Sequence, residues 1–386
     1  MKNYYIAKKY WKTAESELSK SAGATGVAKD LINFTLGDPD IHTDKRIVER
    51  TFEDVLNGAT HYTDTLGILE LRQELKNYYS DEYKMEVDLD QLMITTSACQ
   101  GMWLVMEAIL DDGDEVIIPS PHFPPYPDQV EMAGGKSVFL ELLESEDFQI
   151  NIKRLEESIT ERTKAIIINT PNNPIGSCLS KKTLEDISII AKKYDLLIIA
   201  DDIYTLYSYE APFIPISSIE GMRERTITLG SFSKNFAMAG WRIGYILADP
   251  KFIQVFKMIN ENNVYTAPEP SQRAALHALR LRKEIQAMLF EEFKKRSYYA
   301  YERLNKLKGI RVMEPKGTFY LFPNIEGTGL SSIEFADKLL KEAGVAVVPG
   351  LAFGCNGDKY IRLAVTLNIE KMKEAFDRIE KMQMFQ

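Results

Sequence analysis

Residues 164–176 read KAIIINTPNNPIG, and the two halves of that stretch decide the architecture. Ile166, Ile167 and Ile168 make an uninterrupted β-branched run, the composition of a strand covered on both faces. After Thr170 the chain turns: Pro171 and Pro174 fix the backbone, Gly176 permits the bend, and Asn172 and Asn173 are held between them. An ordinary turn tolerates this composition but has no need of two asparagines locked between prolines. A buried strand that ends in a rigid polar turn is the kind of place where open α/β sheets bind ligands.

Outward from this stretch the same pattern recurs. LMITT (Leu92–Thr96), EVIIP (Glu115–Pro119), KSVFLEL (Lys136–Leu142), LLIIAD (Leu196–Asp201), TITLGS (Thr226–Ser231) and RIGYILA (Arg242–Ala248) read as strands. Ala98–Leu110 and Lys181–Tyr194 between them read as helices, each ending near an Asp or Gly stop signal. The alternation predicts an α/β fold whose large domain holds a mostly parallel seven-stranded sheet with helices on both faces. Past Pro268 the pattern changes to a charged helix over Glu284–Lys308 and a β-rich Gly317–Phe322. A helix over Ser332–Ala343 follows, then VAVVP (Val345–Pro349), IRLAV (Ile361–Val365) and a closing helix. This reads as a smaller α+β domain. The expected division is 46–280 for the large domain, with 1–45 and 281–386 forming the small one.

A length of 386 residues exceeds what one hydrophobic core ordinarily serves. The formal net charge of -9 argues against a general nucleic-acid binder but leaves room for a local cationic pocket. No apolar run follows the amino-terminal lysines, and no stretch approaches the ~18 apolar residues of a membrane span. Three widely spaced cysteines, Cys99, Cys178 and Cys355, fit a reducing compartment, so a cytoplasmic location is expected. His42, His61, His122 and His277 show no H-E-x-x-H spacing and there is no C-x-x-C pair, so no metal site is expected. SAGATG (Ser21–Gly26) reads as a lid or a turn.

Three further strand ends carry polar residues. Ser97, Ala98 and Cys99 open a helix whose free N–H groups suit a phosphate, although alone they read equally as a helix cap. Asp201, in Asp201-Asp202-Ile203-Tyr204, is a carboxylate straight after a buried strand, costly without a partner unless it caps the next helix. Ser231-Phe232-Ser233-Lys234 precedes Gly240-Trp241-Arg242-Ile243-Gly244. A lysine flanked by hydroxyls and an arginine loses its proton readily and offers an amine for an imine, where an exposed loop lysine is the plain alternative. The glycines of a phosphate-binding G-x-x-x-x-G-K-[ST] loop are missing there.

Taken in order, these blocks resemble the fold-type I pyridoxal-phosphate enzymes, specifically the class I/II, aspartate-aminotransferase-like family of amino acid metabolism. The resemblance runs from FTLGDPD (Phe34–Asp40) to YIRLA (Tyr360–Ala364). It implies pyridoxal 5'-phosphate as cofactor and amino-group transfer between an L-amino acid, aspartate or another common one, and a 2-oxo acid such as 2-oxoglutarate. By the same matching, Lys234 carries the cofactor aldehyde as an imine and then moves the Cα proton. Asp201 pairs with the ring nitrogen, while Asn173 and Tyr204 bond the phenolic oxygen and Asn173 also faces substrate. Phe123 stacks on the ring. Ala98, Cys99, Ser231 and Arg242 cradle the phosphate, with Tyr62 reaching over from a partner subunit in a homodimer of shared sites. Arg362 grips the substrate carboxylate, with a surface strand arginine as the plain alternative, and Gly37 lets the chain pass close to substrate. His122 is expected as pocket wall rather than base.

The chain departs from the family pattern at Ser97 and Ala98, where glycine is frequent, and at Ile175, where threonine is common; neither is expected to matter. No residue can be assigned as a second cation for a dicarboxylate side chain. A carbon–sulfur β-lyase (cystathionine or cysteine type) would use the same lysine, aspartate and arginine. A non-catalytic, ligand-sensing regulator is disfavoured, because about thirty residues ahead of the match are too few for a DNA-binding domain.

Overall fold

The computed structural model describes residues 5, 7–10 and 30–386, so Ser21–Gly26 lies outside the described residues. A short strand, β1 (Ile32–Asn33), precedes the large sheet. That sheet comprises β2 (Leu92–Thr95), β3 (Glu115–Ser120), β4 (Lys136–Glu141), β5 (Thr163–Asn169), β6 (Leu197–Asp201), β7 (Thr226–Ser231) and β8 (Gly244–Leu247). Their spatial order is β2-β8-β7-β6-β5-β3-β4. β8 is antiparallel to both neighbours and the other pairings are parallel.

The reason for the continuous apolar runs is visible in burial. Ile117, Ile166, Ile168 and Ile198 join the core on one face, and Val116, Ile118, Ile167 and Ile199 join the core on the other. Successive strand residues point to opposite sides, so a sheet clad on both faces needs apolar residues at every position. Each such side chain contributes roughly 1.5–3 kcal/mol of burial. The helices Ala98–Ile109 and Lys181–Lys193 stand within a residue of their expected ends, capped by Ser97 and Ser180 side chains.

β8 starts two residues later than expected. Arg242 adopts φ 52, which takes it out of the ladder. Ser97 sits at φ 85, a region that favours glycine, so its replacement of glycine carries backbone strain; its Oγ accepts from Gln100 N at 3.3 Å.

The remaining strands are β9 (Tyr320–Leu321), β10 (Val345–Ala346), β11 (Val348–Pro349) and β12 (Ile361–Ala364). The single strand expected over Val345–Pro349 is in fact two. Val345 and Ala346 pair in parallel with β1, while Val348 and Pro349 pair antiparallel with β12. β12 also pairs with β9. The expected helix over Glu284–Lys308 spans Arg282–Leu304, and Gly309 at φ 81 follows its end. Bonds from Phe34 N to Ala346 O and from Ala364 N to Phe34 O, at 2.9 and 2.8 Å, lay the segment before Gly37 beside Arg362.

Candidate active site

Four strands end at one edge of the large sheet, and the polar residues follow from that edge. Asn169 and Asp201 are paired last residues of β5 and β6, and Ser231 ends β7 opposite Gly244 of β8. A four-residue helix, Phe232–Asn235, starts from Ser231, whose Oγ accepts from Ser233 N at 3.1 Å. Lys234 is thereby carried past the strand end and over the edge.

Two cavities meet there. One, of about 390 Å3, is bounded by Thr35, Leu36, Gly37, Phe123, Tyr126, Asn169, Asn173, Asp201, Ile203, Tyr204, Lys234, Tyr320 and Arg362. The other, of about 160 Å3, shares Phe123, Tyr126, Asp201, Ile203 and Lys234 with it and adds Ala98, Cys99, Ser231 and Arg242. Eleven of the twelve residues singled out in the sequence therefore line one continuous space. Tyr62 does not: it is 85% exposed and meets Tyr265 edge-on at 5.3 Å. His122 lines neither cavity but a separate one of about 20 Å3, stacked on Phe139 with its Nδ1 3.1 Å from the Phe123 carbonyl. Burial lowers its pKa.

The electrostatics are unusual for a protein interior. Burial drives the Lys234 ammonium down to about 8, the Asp38 charge working against this and Arg362 and Arg242 adding to it. Its Nζ donates to Gly37 O at 2.5 Å. Burial lifts Asp201 to about 6, opposed by a hydrogen bond that its Oδ2 accepts from the Tyr126 phenol. The other oxygen, Oδ1, has no partner. Arg362 is 3% exposed, which rules out a surface arginine, and its guanidinium lies between the Tyr320 and Phe353 rings at 4.7 Å from each. It donates to Asn173 Oδ1 at 3.0 Å and Thr35 O at 2.6 Å. No carboxylate pairs with it among the described residues, and Nε is unsatisfied. A buried guanidinium in this state has the charge and the free donor to receive a carboxylate.

Residues 29–379 match the family described as aminotransferase class I and II. The chain is 40% identical to aromatic-amino-acid aminotransferase 2 of Thermococcus litoralis and 39% identical to aspartate aminotransferase of Pyrococcus abyssi, each over 95% of both chains. The solved aromatic aminotransferase of Pyrococcus horikoshii OT3 superposes with a TM-score of 0.88 at 38% identity, covering 94% of this chain and 98% of that one. The chain belongs to the class I and II aminotransferases. It is an enzyme that moves an amino group between an amino acid and a 2-oxo acid, and pyridoxal phosphate is its cofactor.

The aminotransferase's residues fit that cofactor. Asp201 Oδ1 is a buried acceptor awaiting a donor, as a protonated ring nitrogen would be. A side chain at Gly244 would press within 2.6 Å of Ala98 N, so glycine there keeps the backbone at the helix start close to the sheet. The amides that open Ala98–Ile109, the Ser231 hydroxyl and Arg242 surround the second cavity, a donor set for a phosphate.

Sequence reasoning missed Tyr126 and Tyr320. Tyr320 Oη lies 3.1 Å from Tyr204 Oη and abuts Gly37 so closely that a Cβ there would fall 1.8 Å from it. Its place in a short β-rich stretch gave no hint of this. Tyr126 follows Phe123 by three residues, and nothing local announces a partner at Asp201.

Proposed function

We propose that this aminotransferase binds its cofactor through Lys234, Asp201 and the donors of the smaller cavity, and its amino-acid substrate through Arg362. Bound pyridoxal phosphate supplies an aldehyde and an electron-accepting ring. The observation that carries the reading is Asp201 Oδ1, a buried carboxylate oxygen with no partner, in a residue lining the same space as Lys234.

The chain's own residues then divide the work. Asp201 holds a proton on the ring nitrogen. Tyr204 and Asn173 donate to the phenolic oxygen; Asn173 Oδ1 is already taken by Arg362, so its amide N–H faces the cavity. Phe123 stacks on the ring, and Gly37 lets substrate lie against the backbone. Arg362 takes the α-carboxylate in bidentate fashion, which orients the Cα–H bond toward Lys234. With its pKa near 8, the Lys234 amine is free to accept that proton from Cα and return it at C4′ of the cofactor, two atoms along.

The reading extends to a cytoplasmic homodimer in which Tyr62, exposed here, reaches the partner's phosphate site, and to domains spanning 46–280 and 1–45 with 281–386. The amino donor is an L-amino acid and 2-oxoglutarate the acceptor. Among the described residues no helix is long and apolar enough to cross a membrane. Incubation with single amino acids and 2-oxoglutarate should yield glutamate; pyruvate and ammonia from cystathionine without glutamate formation would establish the lyase instead.

A further inference from the structure

Asp201 and Tyr126 are the closest polar pair in the site, and both are buried, at 5% and 3% exposure. They come from different elements: Asp201 ends β6, and Tyr126 lies in the helix Pro125–Met132. A phenol has one hydrogen to give, and Tyr126 gives it to Oδ2. Its ring is held edge-on against Phe123 at 5.6 Å, so the donor's direction is set by packing.

We propose that Tyr126 is a positioning residue for the aminotransferase: by donating to Oδ2 it holds the Asp201 carboxylate ionised and leaves Oδ1 alone for the cofactor's ring nitrogen. This rests on the reading that Asp201 faces that nitrogen. The chemistry requires such a device. The groups that face Asp201 are Tyr126, Tyr204 on the following loop, Cys99 at the start of the helix Ala98–Ile109, and its neighbour Asp202. None is a cation, and the neighbouring carboxylate is of like charge. Lys234 and Arg242 line the same space, but the amine bonds Gly37 O and the guanidinium bonds Ala239 O. With desolvation pushing Asp201 toward its neutral form, the phenol is the one group that favours the charged form. A neutral carboxyl would offer the ring nitrogen a hydrogen bond but no charge.

The test is equilibrium binding of pyridoxal phosphate to the full-length protein stripped of cofactor, followed by fluorescence from pH 5.5 to 9. Binding requires the carboxylate, so affinity falls as pH drops through the Asp201 pKa, about 6 in the wild type. Removing the phenol's hydrogen in Tyr126→Phe should raise that midpoint by about one unit. The variant then binds about fivefold more weakly than wild type at pH 6 and within a factor of about two at pH 8.5, where both are ionised. Titration of Lys234 and of the phosphate is common to both proteins and drops out of the ratio.

Equal affinities at every pH, or the same weakening at every pH, overturn the proposal, the second because lost packing has no pH signature. Asp201→Asn separates the two layers of argument. If it keeps the wild-type pH profile, the reading of Asp201 fails; if it loses that profile while Tyr126→Phe keeps it, only the role of Tyr126 fails. Should Tyr126→Phe not fold, carbon NMR of the Asp201 carboxyl in unaltered stripped protein decides, a midpoint near 6 supporting the proposal and one above about 8 overturning it.

Discussion

The two halves of the active site are built in different ways. The half proposed to hold the cofactor lies on the ends of β2, β6 and β7, so Ala98, Cys99, Asp201, Ser231 and Lys234 inherit their places from one hydrogen-bonded sheet. The half proposed to take the substrate joins Gly37, Asn173, Tyr320 and Arg362 from segments far apart in the chain: the β9–β12 pairing and the backbone bonds of Phe34 align three of them, and the Arg362 side chain ties in Asn173. Tyr320 is its keystone: it abuts Gly37, bonds Tyr204 and lies against the Arg362 guanidinium. The difference teaches that damage should separate cleanly, with cofactor retention failing in the first half and substrate affinity in the second.

The largest effect tests the first half. Lys234→Ala should keep the fold, lose the visible band of the lysine-bound cofactor, and lower transamination roughly 10,000-fold. A variant that kept band and turnover would break the assignment outright. Next, Arg362→Lys should raise the KM for the amino acid by about 100-fold, since an ammonium cannot reproduce the planar fork, while pyridoxal phosphate affinity stays within about twofold. Loss of cofactor with unchanged KM would show that the halves are not separable.

The buried Lys234 ammonium gives a pH test. Its folded pKa of about 8 lies below the unfolded value, so the folded state is penalised while the amine is charged. Between pH 8 and about 10.5, the stability of cofactor-free wild type should therefore rise relative to Lys234→Met, by about 2–3 kcal/mol, in denaturant unfolding. A difference that stayed flat with pH would mean that the amine is well solvated. Smallest is Gly37→Ala: the Cβ meets Tyr320 Oη, and displacement of that ring should raise KM about tenfold, partly restored by adding Tyr320→Phe.

The same contrast governs what was readable from the chain. Ile166 to Ile168 announced a strand buried on both faces because burial acts residue by residue along a two-residue period. That Lys234 and Asp201 meet at one sheet edge was legible because a strand end and a polar residue beside it are neighbours in sequence. The Val345–Pro349 run was misread as one strand because its apolar pattern is continuous, whereas its hydrogen bonds change partner between Ala346 and Val348. Arg242 was read into β8 for the same reason, though its φ of 52 takes it out.

By itself, then, the amino-acid order determined a seven-stranded α/β sheet, the polar turns at its edge and the lysine carried past a strand end. These follow from local backbone preference and from the alternation of burial. Only the tertiary structure decided that Tyr126 bonds Asp201, that Arg362 is buried between two rings without a carboxylate, and that Tyr320 closes on Gly37. Tyr126 and Asp201 stand 75 positions apart, and Gly37 and Tyr320 come from the two ends of the described chain. Which side chains meet across such a distance is fixed by how elements pack, and no periodicity in the chain records it.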